Sequence, residues 1–139
     1  MPGFQEITNA DDLRNAVRGK SNQQITREVI EAGLDQLLQL VFLGFMASFK
    51  PERARGVRAV IEYRLRALDR RFRYQVKIAD EQCMVQENGT DRPDLVMNLS
   101  VAEFLKLITR QFNPLWALFM LALKTRGDRK IAARMARWF

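Results

Sequence analysis

Catalysis draws on a short list of side chains, and this chain of 139 residues holds few of them. It has no histidine and one cysteine, Cys83, which excludes Ser–His–Asp triads and Cys–His pairs. A zinc site of the usual ligand types has almost nothing to draw on. The seven glycines are scattered, and none builds a loop that would cradle a phosphate. Asp, Glu, Lys and Tyr remain, but they form no recognisable acid–base constellation. The expectation is a protein that is not an enzyme, with no metal and no cofactor. A single cysteine makes no internal disulfide, and its apolar neighbours give Cys83 the character of a buried structural thiol.

Cations and apolar side chains are the plentiful kinds. There are 23 Lys and Arg against 16 Asp and Glu, a net charge of +7, which favours an anionic partner: nucleic acid, a negatively charged membrane surface or an acidic ligand. Near the end of the chain, Lys130, Arg134 and Arg137 fall on one line of a helix, beside an apolar line of Ile131, Met135 and Trp138. Such a helix either docks by its apolar side with its arginines in water, or meets anionic lipid headgroups with Trp138 at the interface. Nucleic acid is not expected as a partner, because neither an aromatic strand motif nor a recognition-helix pattern is present.

The apolar surplus is concentrated at 115–123, Leu-Trp-Ala-Leu-Phe-Met-Leu-Ala-Leu. These nine residues cover every side of a helix about two and a half turns long, whereas a surface helix carries only a stripe. The segment must be covered by the rest of the chain, by a second subunit or partner protein, or by a ligand. An apolar ligand in an internal cavity resolves the surplus, and Met84, Met97 and Met120 suit a pliable lining.

The elements that would position these residues follow from periodicity and caps. Asn9 or Thr8 caps a short first helix that ends at Gly19. Thr26 caps a long helix over 26–48, and Pro51 opens one more helical turn. From Val57 the period switches to two. Strands are expected over 57–65, 72–78, 82–87 and 95–99, and their short connections argue for an antiparallel meander. Ser100-Val101-Ala102-Glu103 is a capping box for the next helix. Asn113-Pro114 restarts the chain as another helix, a short extended piece follows at 124–126, and Asp128 caps a last helix over 129–139. The organisation is one α+β domain, 1–139, with a helical part at 1–56 and the sheet and C-terminal helices at 57–139. No secretory signal is visible, and the apolar stretch at 37–49 is shorter than the roughly 20 residues that span a bilayer. A soluble protein of a reducing compartment, the cytoplasm, is expected.

Three stretches within 57–139 resemble the sterol carrier protein type 2 family of non-specific lipid-transfer proteins: Arg73-Tyr74-Gln75-Val76-Lys77-Ile78-Ala79-Asp80; Pro93-Asp94-Leu95-Val96-Met97-Asn98-Leu99-Ser100 running into Glu103-Phe104-Leu105; and Asn113-Pro114 followed by Gly127-Asp128 and Phe139. Phe49-Lys50-Pro51-Glu52-Arg53-Ala54 is similar to bacterial members with an added helical N-terminus. The chain departs from the family at Asp80-Glu81, where Asp-Gly is usual, and at Leu121-Ala122, where Gly-Lys is frequent. The resemblance implies a five-stranded, largely antiparallel sheet with helices packed on one face, enclosing an apolar tunnel. It further implies non-catalytic binding of a hydrophobic lipid: a fatty acid, acyl-CoA, sterol, phospholipid or isoprenoid. Carried onto this chain, the ligand-binding residues are Met97, Leu99, Leu105, Ile108, Phe112, Leu115, Trp116, Phe119 and Met120. Membrane contact falls to Lys130, Arg134, Arg137 and Trp138. The alternative is an accessory protein in a lipid- or quinone-biosynthesis assembly, its apolar helices buried in a homodimer or against a partner.

Overall fold

The structure, a computed structural model, describes residues 3–110 and 123–139. Local capping sets the helical N-terminal part. The Asn9 side chain accepts a hydrogen bond from the Asp12 amide at 2.8 Å and opens α1, Ala10–Val17. Ser21 does the same for Gln24 at 3.1 Å and opens α2, Asn22–Ala32. The single helix expected over 26–48 is in fact two: α2 and α3, Leu34–Ser48, meet at a bend of 102°. Gly33 is the cause. At φ 104° it caps the end of α2 through its amide to the Val29 carbonyl, and its own carbonyl accepts the first bond of α3 from Leu37, a conformation that glycine takes without steric cost. Thr26, expected as the cap, lies inside α2 and donates its hydroxyl to the Asn22 carbonyl at 2.8 Å. After a 3₁₀ turn at Pro51–Arg53 the chain enters the sheet.

The sheet has five strands in the order β3-β2-β1-β4-β5: β1 Ala59–Ala67, β2 Arg70–Ala79, β3 Gln82–Glu87, β4 Leu95–Ser100 and β5 Thr125–Gly127. The first three form the expected antiparallel meander, in register at Tyr63 with Tyr74 and at Ile78 with Cys83. The fourth does not continue it. It pairs with β1 in parallel, Tyr63 opposite Met97 and Leu65 opposite Leu99. The loop after β3 crosses the outer face of the sheet, where the Asp91 carbonyl accepts from the Gln75 side-chain amide at 2.8 Å. Asp94 then seats the chain beside β1, accepting from the Val60 amide at 2.8 Å and donating its own amide to the Val60 carbonyl at 2.8 Å. Three of the four pairings are antiparallel, so the sheet is mixed.

The capping box at Ser100 and Glu103 forms as its spacing predicts, with both reciprocal bonds present, and starts α4, Val101–Ile108. Asp128 caps the last helix, α5, Arg129–Arg134, which tightens into a 3₁₀ turn at Met135–Arg137 instead of running on as α-helix. Lys50 holds this end to α3: its amide donates to the Trp138 carbonyl and its ammonium to the Phe139 carbonyl, each at 2.6 Å.

At the β2–β3 turn both Asp80 (φ 54°) and Glu81 (φ 60°) are left-handed. Glu81 occupies the place where glycine would sit without strain, and its ion pair with Arg55, at 3.7 Å between exposed side chains, offsets little. Glu81→Gly is therefore expected to stabilise the protein by about 1 kcal/mol, read as a rise in the urea midpoint; a lower midpoint would contradict the assignment of strain.

Candidate functional site

Alternation and register divide the sheet into two unlike faces. The inner face carries Ile61, Tyr63, Leu65, Tyr74, Val76, Ile78, Cys83, Leu95, Met97 and Leu99, all buried. α3 and α4 cover it, and Phe42 of α3 packs against Tyr63, Tyr74 and Phe104 with ring centroids 4.1–5.4 Å apart. The titratable groups in this layer are kept uncharged. Burial raises the Tyr63 phenol far above its usual range, with Cys83 adding to the effect. Burial, then Glu87 and Asp35, push Tyr74 up to about 12, and burial pushes the Cys83 thiol up to about 11. A neutral thiol is a poor nucleophile. The layer offers apolar contact surface and a few hydroxyls.

Of the residues the resemblance assigns to a ligand, the structure brings Met97, Leu99 and Leu105 together, fully buried between β4 and α4. Ile108 lies half-buried at the end of the same helix. Phe112, Leu115, Trp116, Phe119 and Met120 lie outside the described residues, as does nearly all of the 115–123 segment. Two expectations are corrected. Met84 does not line the inner face. Register puts it opposite Lys77, pointing outward and largely exposed, while its neighbour Cys83 points in. Trp138 does not stand at an interface either. It is 3% exposed, turned into the core at the end that Lys50 clamps. Lys130, Arg134 and Arg137 are exposed on α5 and the turn that follows it.

The alternation pattern also hid a buried polar pair on the outer face. Glu62 and Gln75 read as solvent-facing positions, yet both are buried because the loop after β3 folds over them. The Gln75 amide donates to Glu62 at 2.9 Å and Arg64 donates to its other oxygen at 2.6 Å. Burial would raise the Glu62 carboxyl, but these two donors, with the positive charges of Arg64 and Arg73, outweigh it and hold the group below its usual value. Gly89 lets the loop approach this closely, since a Cβ there would lie 2.5 Å from the Gln75 side-chain amide oxygen, Oε1. Asn88-Gly89 marked the loop in the sequence; nothing local marked where it lands.

One mixed sheet, apolar on the face its helices cover and charged on the other, defines an α+β protein that keeps an uncharged layer between sheet and helices. A family model described as the SCP-2 sterol transfer family matches residues 35–139. The chain belongs to that family, and the match reaches back into α3, well before residue 57. No curated protein sequence matches the chain. Among solved structures it is similar to sterol carrier protein 2 like 2 from Aedes aegypti, with 12% to 18% identity spanning this and the following two comparisons. That structure has a TM-score of 0.60 and 16% identity, covering 79% of this chain and 99% of the other. The palmitated form of the Aedes aegypti protein gives 0.51 and 18%, covering 68% and 83%. A double mutant of the sec-alkylsulfatase PisA1 gives 0.62 and 12%, covering 73% of this chain, which spans only 16% of the sulfatase's length. At such identities these likenesses establish the fold. Among the described residues no single helix is long and apolar enough to cross a membrane.

Proposed function

We propose that this chain binds one hydrophobic lipid between the inner sheet face and its helices, and carries or presents it without catalysing a reaction. The observation that carries the reading is the uncharged inner layer at Met97, Leu99 and Leu105 in a chain of the SCP-2 sterol transfer family. The Aedes aegypti relative was solved in palmitated form, which supports a long acyl chain as one ligand class alongside acyl-CoA, sterol, phospholipid and isoprenoid. The sulfatase likeness fits a fold that also occurs within a longer enzyme chain. A single cysteine, with no internal disulfide to form, fits a reducing compartment such as the cytoplasm. The exposed cations Lys130, Arg134 and Arg137 attract the protein towards an anionic membrane surface.

A second reading, an accessory protein of a lipid- or quinone-biosynthesis assembly, is favoured by α3. Its outward side leaves Leu40, Leu43 and Met46 exposed at 54%, 57% and 43%, apolar surface of the kind that marks an interface. A stable oligomer or complex buried through these residues or through 115–123 would support it.

Trp116→Arg and Phe119→Asp test the carrier reading. Each puts a charge where an apolar lipid is proposed, and uptake of a fluorescent fatty acid is expected to fall by on the order of a hundredfold. Uptake at the wild-type level, in variants that unfold at the wild-type temperature, contradicts the placement.

A further inference from the structure

Leu68 stands at the tip of the β1–β2 hairpin, 78% exposed and with φ 56°. Left-handed backbone is unfavourable for a branched side chain, and exposure forgoes the benefit of burying it. Behind the tip, register sets Arg66 opposite Arg71 and Arg64 opposite Arg73 on the outer face. Like charges directly opposite one another weaken a strand pair, and here two such pairs follow in succession. Arg64 is held by Glu62, and Arg66 reaches Glu103 only at 4.0 Å. Among the described residues no ion pair joins Arg71 or Arg73 to a carboxylate, and both are exposed, although Arg73 donates to the Asn88 carbonyl at 3.4 Å and its charge also acts on Glu62. On the other side of the tip, Arg70 grips both oxygens of Asp35 on α3 at 2.9 and 3.0 Å, which ties the hairpin to the helical layer.

We propose that this hairpin tip seats the protein on an anionic phospholipid surface. Leu68 enters the boundary between headgroups and acyl chains, and Arg64, Arg66, Arg71 and Arg73 engage lipid phosphates. The exposed Asp69 shares the tip with Leu68, but the four guanidiniums behind it outnumber its one carboxylate. An apolar side chain backed by cations fits that boundary, and the planar guanidinium matches a phosphate better than an ammonium does. The outward positions of the five strands hold no aromatic residue, so the stacking platform that single-stranded nucleic acid needs is missing there. The tip lies at the opposite end of β1 from Asp94, to which the start of α5 is bonded. Seating by the tip and seating by Lys130, Arg134 and Arg137 are therefore different orientations. The inference rests on the lipid-carrier reading for its purpose, but its test does not.

Sedimentation of the full chain with phosphatidylcholine vesicles containing roughly a third phosphatidylglycerol, an anionic surface of the kind that attracts cationic segments, separates the alternatives. Leu68→Gly should melt at a higher temperature, because glycine accepts the φ, yet bind about tenfold more weakly. The double variant Arg66→Gln, Arg71→Gln should lose about thirtyfold. Uptake of fluorescent fatty acid from solution should stay at the wild-type level in both. Wild-type vesicle binding by Leu68→Gly overturns the proposal. So does loss of binding only in Arg134→Glu, Arg137→Glu, or a wild-type preference for duplex RNA over vesicles that needs the same tip arginines. A wild-type protein that seats through the tip but takes up no fatty acid upholds the docking and sinks the carrier reading.

Discussion

Phe42→Ala is expected to lower the unfolding free energy by about 3–5 kcal/mol. Phe42 is 1% exposed and joins four elements at once. Its ring stacks on Tyr74 of β2 at 4.1 Å and on Phe104 of α4 at 5.3 Å, meets Tyr63 of β1 edge-on at 5.4 Å, and lies 5.4 Å from Phe45 on its own helix. Truncation removes the transfer free energy of a phenyl ring and leaves a void bounded by other rigid rings, which collapse poorly around it. Aromatic pairing adds about 0.5–1.5 kcal/mol per contact beyond the buried area. Chemical denaturation reads the effect as a shift in midpoint at constant slope. A loss under about 1 kcal/mol would show that α3 is not the element that fastens the helices to the sheet.

Gly127→Ala should cost a comparable amount, about 3 kcal/mol or more, because strain and overlap act together. Gly127 has φ 112°, and a Cβ there would meet the Asp94 carbonyl oxygen at 2.3 Å, its carbon at 3.1 Å and the Leu95 Cα at 3.2 Å. All three are backbone atoms, so no side chain can swing aside. Asp94 cannot yield easily either, being bonded twice to Val60 and, through its carbonyl, to the Asp128 amide at 2.9 Å. The weakest joint is then the three-residue pairing of β5 with β4. The variant is expected to release β5, with α5 and Trp138 behind it, before the rest of the sheet melts. Faster exchange of the β4 amides that face β5, together with a red-shifted tryptophan emission, would report that release. Unaltered exchange and melting temperature would contradict it.

The sequence displayed some parts of this fold and concealed others, and the division has a physical basis. Caps and alternation act within a few residues, so Asn9, Ser100 with Glu103, Asp128 and the run from Phe72 to Ile78 could be read directly. The break at Gly33 could not. A glycine within an apolar periodicity is compatible with a continuous helix, and only its left-handed φ turns it into a bend. The parallel pairing of β4 was equally hidden. A seven-residue connection suits a hairpin, but here it crosses the sheet and buries Glu62 and Gln75 on the way. For the candidate site, Met97, Leu99 and Leu105 came from the family resemblance, and their burial agrees with the alternation of β4 and the capping box that aims α4. Trp138 was misplaced because amphipathic spacing identifies an apolar line without saying whether protein or lipid covers it. The hairpin-tip leucine carried no sequence signal at all; its exposure and φ emerge only from the turn geometry.

The central claim is that an apolar guest occupies the space between sheet and helices. Native mass spectrometry of the protein purified without detergent, followed by solvent extraction of the same sample, tests it most directly. The account predicts a mass exceeding that of the bare chain by one lipid, recovered intact in the extract. A bare chain mass, with no extractable lipid and no gain in mass after incubation with a long-chain fatty acid, would contradict it.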